Sequence, residues 1–206
     1  LENKKPFSGE DLQTGLTRFL LGFFKKAFIA DTLAFYIVDP IFAAPGNYSS
    51  GMLWLGMLGY TVQIYADFSG YSSMAIGSAM VLGLRLPENF NFPYLSRNVS
   101  EFWRRWHMTM SSFFRDYIYI SLGGNRKGMV RTLRNLATTI LISGLWHGAG
   151  LTFILWGVLH GVYIVAYHLW HSLRDRRAGL TLGSGFSTIV LAWLVTQLLV
   201  SMAWIL

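Results

Sequence analysis

Residues 135–173 contain no aspartate, glutamate, lysine or arginine, an uncharged run of 39 residues in a chain of 206. As one straight α-helix the run would extend about 58 Å at 1.5 Å per residue. The hydrocarbon core of a bilayer is only about 30 Å thick. Its middle reads Trp146-His147-Gly148-Ala149-Gly150, where glycines and a polar ring interrupt the apolar pattern. The run therefore predicts two helices meeting at a break, short or re-entrant. Such breaks at membrane depth are tolerated only where the backbone lines protein or a cavity.

Further uncharged stretches lie at 40–66, 68–84 and 178–206, and residues 188–206 fit one membrane span. The composition agrees. Only 13% of residues are charged and 53% are hydrophobic, against roughly 25% charged in soluble domains. Too few charges remain to solvate a water-facing surface, which argues against a cytosolic enzyme, a disordered tail and a coiled coil. No cysteine is present, so disulfides, thiolate zinc sites and a cysteine nucleophile are excluded. The fold expected is all-α: a polytopic integral membrane helical protein with broken or re-entrant helices, residues 1–206 forming a single membrane domain. Residues 13–45 read as one helix closed by Pro40, Pro45 and Gly46-Asn47. Residues 51–84 are glycine-rich, which lets helices pack closely in lipid. A chain opening on Leu1 and closing on apolar Leu206 is expected to be part of a longer protein.

The net charge of +7 raises the question of nucleic acid, and the position of the basic residues answers it. Eight of the 17 fall within 97–134, and Arg174, Arg176 and Arg177 form a second group. By the positive-inside rule the 85–134 segment is expected on the cytoplasmic side of the membrane. Topology accounts for the charge, and no nucleic-acid partner is expected.

Within that basic segment, residues 101–119 place Phe102, Trp106, Met110, Phe113, Phe114 and Tyr117 on one face of a helical wheel. Arg104, Arg105 and Arg115 fall on the other face. The pattern predicts one amphipathic interfacial helix with Ser100 as its N-cap. His107 falls at the border of the two faces, partly desolvated yet within reach of water. Its ordinary pKa suits proton transfer, and an interfacial histidine satisfied by a carbonyl is the structural alternative.

His147 sits 12 residues into the uncharged run. Ionisable groups at membrane depth are costly and mark substrate paths or proton relays; the alternative is a neutral histidine bonding a carbonyl freed by the break. The glycine pairs Gly144/Gly148 and Gly157/Gly161 read as packing devices, His160 as a core or cavity histidine, and His168 and His171 as an interfacial end. Asp67 is the only carboxylate between 40 and 87, expected to orient a histidine or a hydroxyl, or to pair with an arginine such as Arg85. The turn Gly123-Gly124-Asn125-Arg126-Lys127-Gly128 is basic and rich in amides, either a phosphate cradle or a plain loop. There is no Gly-x-Ser-x-Gly elbow and no His-Glu-x-x-His pair. With so few carboxylates no metal site is expected. A histidine general base is the chemistry that remains.

The stretches YADFSGYSSMAIG (65–77), FNFPYLSRNVSEFWRRWHMTMSSFFRDYIYISLGGNRKG (90–128) and LISGLWHGAGLTFILWGVLHG (141–161) resemble the membrane-bound O-acyltransferase family, in its bacterial alginate O-acetyltransferase branch. GFFKKAFIADTLA (22–34) adds a milder match. The resemblance implies a polytopic helical enzyme that passes an acyl group through a membrane tunnel to a hydroxyl outside. It maps the histidine of Leu-Trp-His-Gly onto His147 as catalytic base and that of Arg-Trp-His onto His107, supporting from the cytoplasmic side. Ser73 departs from the acidic residue common after Gly-Tyr-Ser, and family members are about twice as long.

On this reading no cofactor is tightly bound, and the acyl donor is a thioester, acetyl-CoA. Arg104, Arg105, Arg126 and Lys127 would attract its phosphates, with Trp146 and Asp67 as further donor or substrate contacts. The acceptor is a polysaccharide or an extracellular acetyl-relay protein, and membrane lipid surrounds the chain. D-alanyl transfer to teichoic acid is the rival within the family. A proton-coupled transporter or a structural subunit is the rival outside it.

Overall fold

The computed structural model describes residues 8–148, 150–176 and 185–206. Ala149, in the expected break, and Arg177, in the second basic group, lie outside them. Among the described residues the regular elements are all helical: α1 (Gly9–Phe23), α2 (Asp31–Leu33), α3 (Asp39–Ala43), α4 (Ser50–Val81), α5 (Val99–Arg105), α6 (Met108–Phe114), α7 (Met129–His147), α8 (Leu151–Arg176) and α9 (Phe186–Trp204). Two of them, over Leu151–Arg174 and Phe186–Trp204, are long and apolar enough to cross a membrane. The chain divides into two compact units, one running to Asn89 and the other beginning at Phe90.

In the first unit Ser8 caps α1 by accepting from the Asp11 N–H at 3.0 Å, and Glu10 and Asp11 complement the dipole of the first turn. Helical backbone then runs on to Ala43 through two π-helical segments, Phe24–Ala30 and Ala34–Val38. The expectation that Pro40 ends this helix is corrected: Pro40 stands in the first turn of α3 with helical backbone directly before it, so the helix runs past the one N–H that proline removes. The turn is closed instead by Pro45–Asn47. Ser49 caps α4, and Gly83, at φ +73°, terminates it in the left-handed conformation.

α1 and α4 meet backbone to backbone. A Cβ on Gly15 would stand 2.7 Å from the Gly77 carbonyl oxygen, and one on Gly77 only 2.5 Å from that of Gly15. Gly22 and Gly70 repeat the arrangement at 2.6 and 2.7 Å. Any side chain at these four positions would drive the helices apart. Along the same seam the Lys26 ammonium donates to Asp67 Oδ1. The pairing of Asp67 with Arg85 is therefore corrected: Arg85 donates to Asp11, and Arg18 holds Glu88 in a two-pronged contact at 2.7 and 2.5 Å.

The second unit is built on an aromatic core. Phe102 is wholly buried and stacks on Trp106, with centroids 5.5 Å apart, while Trp106 packs on Trp204 of α9 at 4.9 Å. Two polar side chains of α9 satisfy loop carbonyls: Trp193 Nε1 donates to Tyr94 O at 2.7 Å and Gln197 Nε2 to Ser96 O at 3.0 Å. Asn135, 1% exposed, donates to the carbonyls of Leu122 and Gly124 at 3.2 and 3.0 Å and so pins the glycine turn to α7. Within that turn the Gly123, Gly124 and Arg126 amides bond the carbonyls of Ile120, Tyr119 and Gly123. Those three amides are engaged internally rather than pointed at a ligand.

α7 and α8 pack through glycine as well. A Cβ on Gly144 would lie 2.5 Å from the Phe153 carbonyl oxygen and 3.1 Å from Gly157 Cα. The expected packing role of these glycines is seen here, across the helix break rather than along one helix.

Candidate active site

The break expected at 146–150 is present: α7 ends on His147 and α8 begins at Leu151. Because Gly144 lets the two helices touch, His147, three residues further along α7, is carried against α8. Its ring meets Trp156 edge to face, centroids 5.3 Å apart at 81°, and lies nearly parallel to Phe153 at 6.1 Å and 24°. Gly148 makes room for the second contact, since a Cβ there would come within 2.9 Å of the Phe153 ring. The His147 side chain remains exposed on its other side.

The 101–119 segment is not one helix, which corrects the wheel reading. α5 ends at Arg105, Trp106 is extended, and α6 begins at Met108. Its cap is also different. Asn98 accepts from the Glu101 N–H at 2.7 Å while Glu101 Oε2 accepts from the Arg97 N–H at 2.9 Å, a reciprocal arrangement that starts the helix one residue before Ser100. His107 occupies the joint with φ +45° and ψ +56°, a left-handed conformation that costs a non-glycine residue about 1–2 kcal/mol. Ser111 Oγ steadies the turn by donating to the Trp103 and Trp106 carbonyls at 3.0 and 3.3 Å. Strain of this kind in a side chain with proton chemistry gathers at functional sites.

Trp146 brings the two histidines into one group. Its ring lies 5.1 Å from His147 and 6.3 Å from His107. His107 is half-buried; burial, and secondarily the positive charge of His147, push its pKa down to about 4. It is therefore a neutral imidazole at pH 7.

The chain of rings continues inward. Trp156 meets His160 at 4.8 Å, and Trp103 Nε1 donates to His160 Nδ1 at 3.3 Å. His160 is wholly buried, and among the described residues its Nε2 has no hydrogen-bond partner. Sequence reasoning placed His160 in the core but missed Phe153 and Trp156, whose only signal was their position one or two turns after the break.

The basic candidates separate. Arg105 is paired with Glu101 at 2.8 Å. Arg104 is exposed and donates to Ser100 Oγ at 3.3 Å. Arg126 and Lys127 are exposed on the glycine turn. Asp67 belongs to the first unit, on Lys26.

The membrane-bound O-acyltransferase family model matches residues 2–204. The chain is 46% identical over 203 residues, 98% of its length, to the protein named "Probable alginate O-acetylase AlgI" of Pseudomonas syringae pv. tomato, and covers 37% of that protein. It is 41% identical over 204 residues to the peptidoglycan O-acetyltransferase of Helicobacter pylori, covering 99% of this chain and 37% of that one. It is 31% identical over 192 residues to the teichoic acid D-alanyltransferase of Bacillus subtilis, covering 90% and 48%. The chain thus spans less than half the length of these relatives. A match along nearly all of its residues, in a helical chain with apolar spans, places it in the membrane-bound O-acyltransferase family.

Proposed function

We propose that the protein to which this chain belongs moves an acetyl group from a cytoplasmic thioester, acetyl-CoA, to a hydroxyl on an extracellular polysaccharide or an acetyl-relay protein. The observation that carries this reading is the convergence of His107 and His147 on Trp146, each held at a helix break. His147 takes the proton of the incoming hydroxyl. The oxygen then attacks the thioester carbonyl, the carbon–sulfur bond breaks, and the thiolate recovers the proton from the imidazolium. Help of this kind is worth roughly 10²–10⁴-fold. The rings of Phe153 and Trp156 fix the imidazole and keep water from one side of it. His107, neutral and turned inward, positions the donor or relays the proton. Arg104, Arg126 and Lys127 draw its phosphates to the cytoplasmic mouth. The basic 85–134 segment faces the cytoplasm of a bacterial inner membrane that the protein crosses several times.

The test uses membranes from cells with the full-length gene, acetyl-labelled acetyl-CoA, and base-labile acetate on extracellular polymer as readout. Loss of label in His147→Ala at matched protein level supports the assignment, and unchanged label overturns it. The D-alanyltransferase relative favours a second reading, D-alanyl transfer to teichoic acid. It is tested by offering the D-alanyl thioester if wild type transfers no acetate.

A further inference from the structure

The apolar stretch Leu151–Arg174 ends beside a hollow of about 500 Å³. Tyr167, His168, His171 and Ser172 of α8 line it together with Ser100 and Arg104 of α5. Its polar equipment is one-sided: a guanidinium, two imidazoles and three hydroxyls, with no carboxylate among the described residues of the lining. The bond from Arg104 to Ser100 Oγ uses one of five guanidinium donors, and the acceptor is neutral. Arg105 next to it is neutralised by Glu101. The Tyr167 ring rests against His168 at 5.4 Å and His171 at 6.0 Å, which holds both imidazoles at the rim.

A planar guanidinium fork beside N–H and O–H donors is the donor set that fits phosphate oxygens. The hollow also lies beside the end of a helix long and apolar enough to cross a membrane, the place along such a helix where lipid headgroups are met. Trp170, 62% exposed in the same turn, is the kind of residue that marks that interface. Twelve residues separate His168 from Trp156, about 18 Å along the helix, so the hollow is not the His147 cluster.

We propose that this hollow binds a phosphate group, carried either by an anionic lipid headgroup or by a soluble phosphate compound. The proposal shares Arg104 with the donor contact of the acyl-transfer reading, and its test measures binding rather than catalysis. Full-length protein in phosphatidylcholine nanodiscs is titrated separately with labelled phosphatidylglycerol and with coenzyme A. Arg104→Gln, the double variant His168→Gln/His171→Gln, and Ser172→Phe, which fills the hollow without removing charge, are each expected to weaken one probe about tenfold, the loss of a charge-assisted contact. Arg115→Gln, at an exposed arginine paired with Asp116, is expected to change neither by more than about twofold. Loss with phosphatidylglycerol alone identifies a lipid site, and loss with coenzyme A alone a site for a soluble phosphate. If all three variants melt like wild type and bind both probes as wild type does, the proposal is overturned. A variant that does not fold leaves the other two to decide.

Discussion

His147 and Trp156 face each other edge to face across the end of one helix and the start of the next, their centroids 5.3 Å apart. The contact exists because Gly144 and Gly157 let α7 and α8 close to backbone distance beneath it. A ring edge against a π face fixes the tilt of the imidazole without a covalent or ionic tie. Trp156→Phe is expected to keep most acyl transfer and Trp156→Ala to lose about tenfold or more, with label on polymer as the readout.

Gly144→Val tests the same support from below. The added side chain meets the Phe153 carbonyl oxygen and Gly157, so α7 must move away. Overpacking of this kind costs about 1–3 kcal/mol. Acyl transfer should fall more steeply than thermal stability in detergent, since His147 sits less than one turn beyond the wedge. Equal losses would mean that the glycine serves stability alone.

At His107 shape and chemistry can be parted. His107→Gly accepts the left-handed backbone at no steric cost, so stability should hold or rise by about 1 kcal/mol while transfer falls on the order of 100-fold. His107→Val, β-branched and confined to the same backbone angles, should lose both. Full activity in the glycine variant would show that only the turn is needed.

The lowered pKa of His107 has a consequence for pH. The unfolded chain takes up the proton near 6.5, the folded chain only near 4. Between those values the unfolded state binds more protons, so the contribution of this residue is full above pH 6.5 and lost as the pH falls toward 4. The melting temperature of the purified protein should decline through that window, and His107→Gln should flatten the decline.

In the first unit, Asp67→Asn leaves Lys26 without its carboxylate. Both side chains are more than a third exposed, so the loss is expected to be about 1 kcal/mol or less. The exchange Lys26→Asp/Asp67→Lys should recover a good part of it, measured by thermal melting. A double variant no better than the single one would show that the pair itself contributes nothing.

The helix break at His147 was legible because glycines and a polar ring stand in the middle of an apolar run too long for one span. The break at His107 was not. The wheel over 101–119 is continuous, and no glycine or proline marks the joint; the turn is imposed by burial of Trp103 and Trp106 and by the Ser111 hydroxyl on their carbonyls. Ser100 and Asn98 both suit the cap position, and only Asn98, two residues earlier, is followed by a glutamate three residues on. Asp67 is the only carboxylate between 40 and 87, open in the sequence to a histidine, a hydroxyl or an arginine. Its partner, Lys26, lies 41 residues earlier, and only the antiparallel docking of two helices brings the two together. His107 and His147 each stood out alone, while their meeting on Trp146 is a tertiary fact that no spacing announces.

The four glycines of the first unit also set a phase. Gly15 and Gly22 are seven residues apart, as are Gly70 and Gly77, and they pair in opposite order. Sliding one helix by a single turn would bring side chains into both bare sites at once. Recovering even one contact requires a slide of seven residues, about 10.5 Å. The hairpin is thus a keyed joint with one seated position, its register held by bare backbone rather than by any side chain.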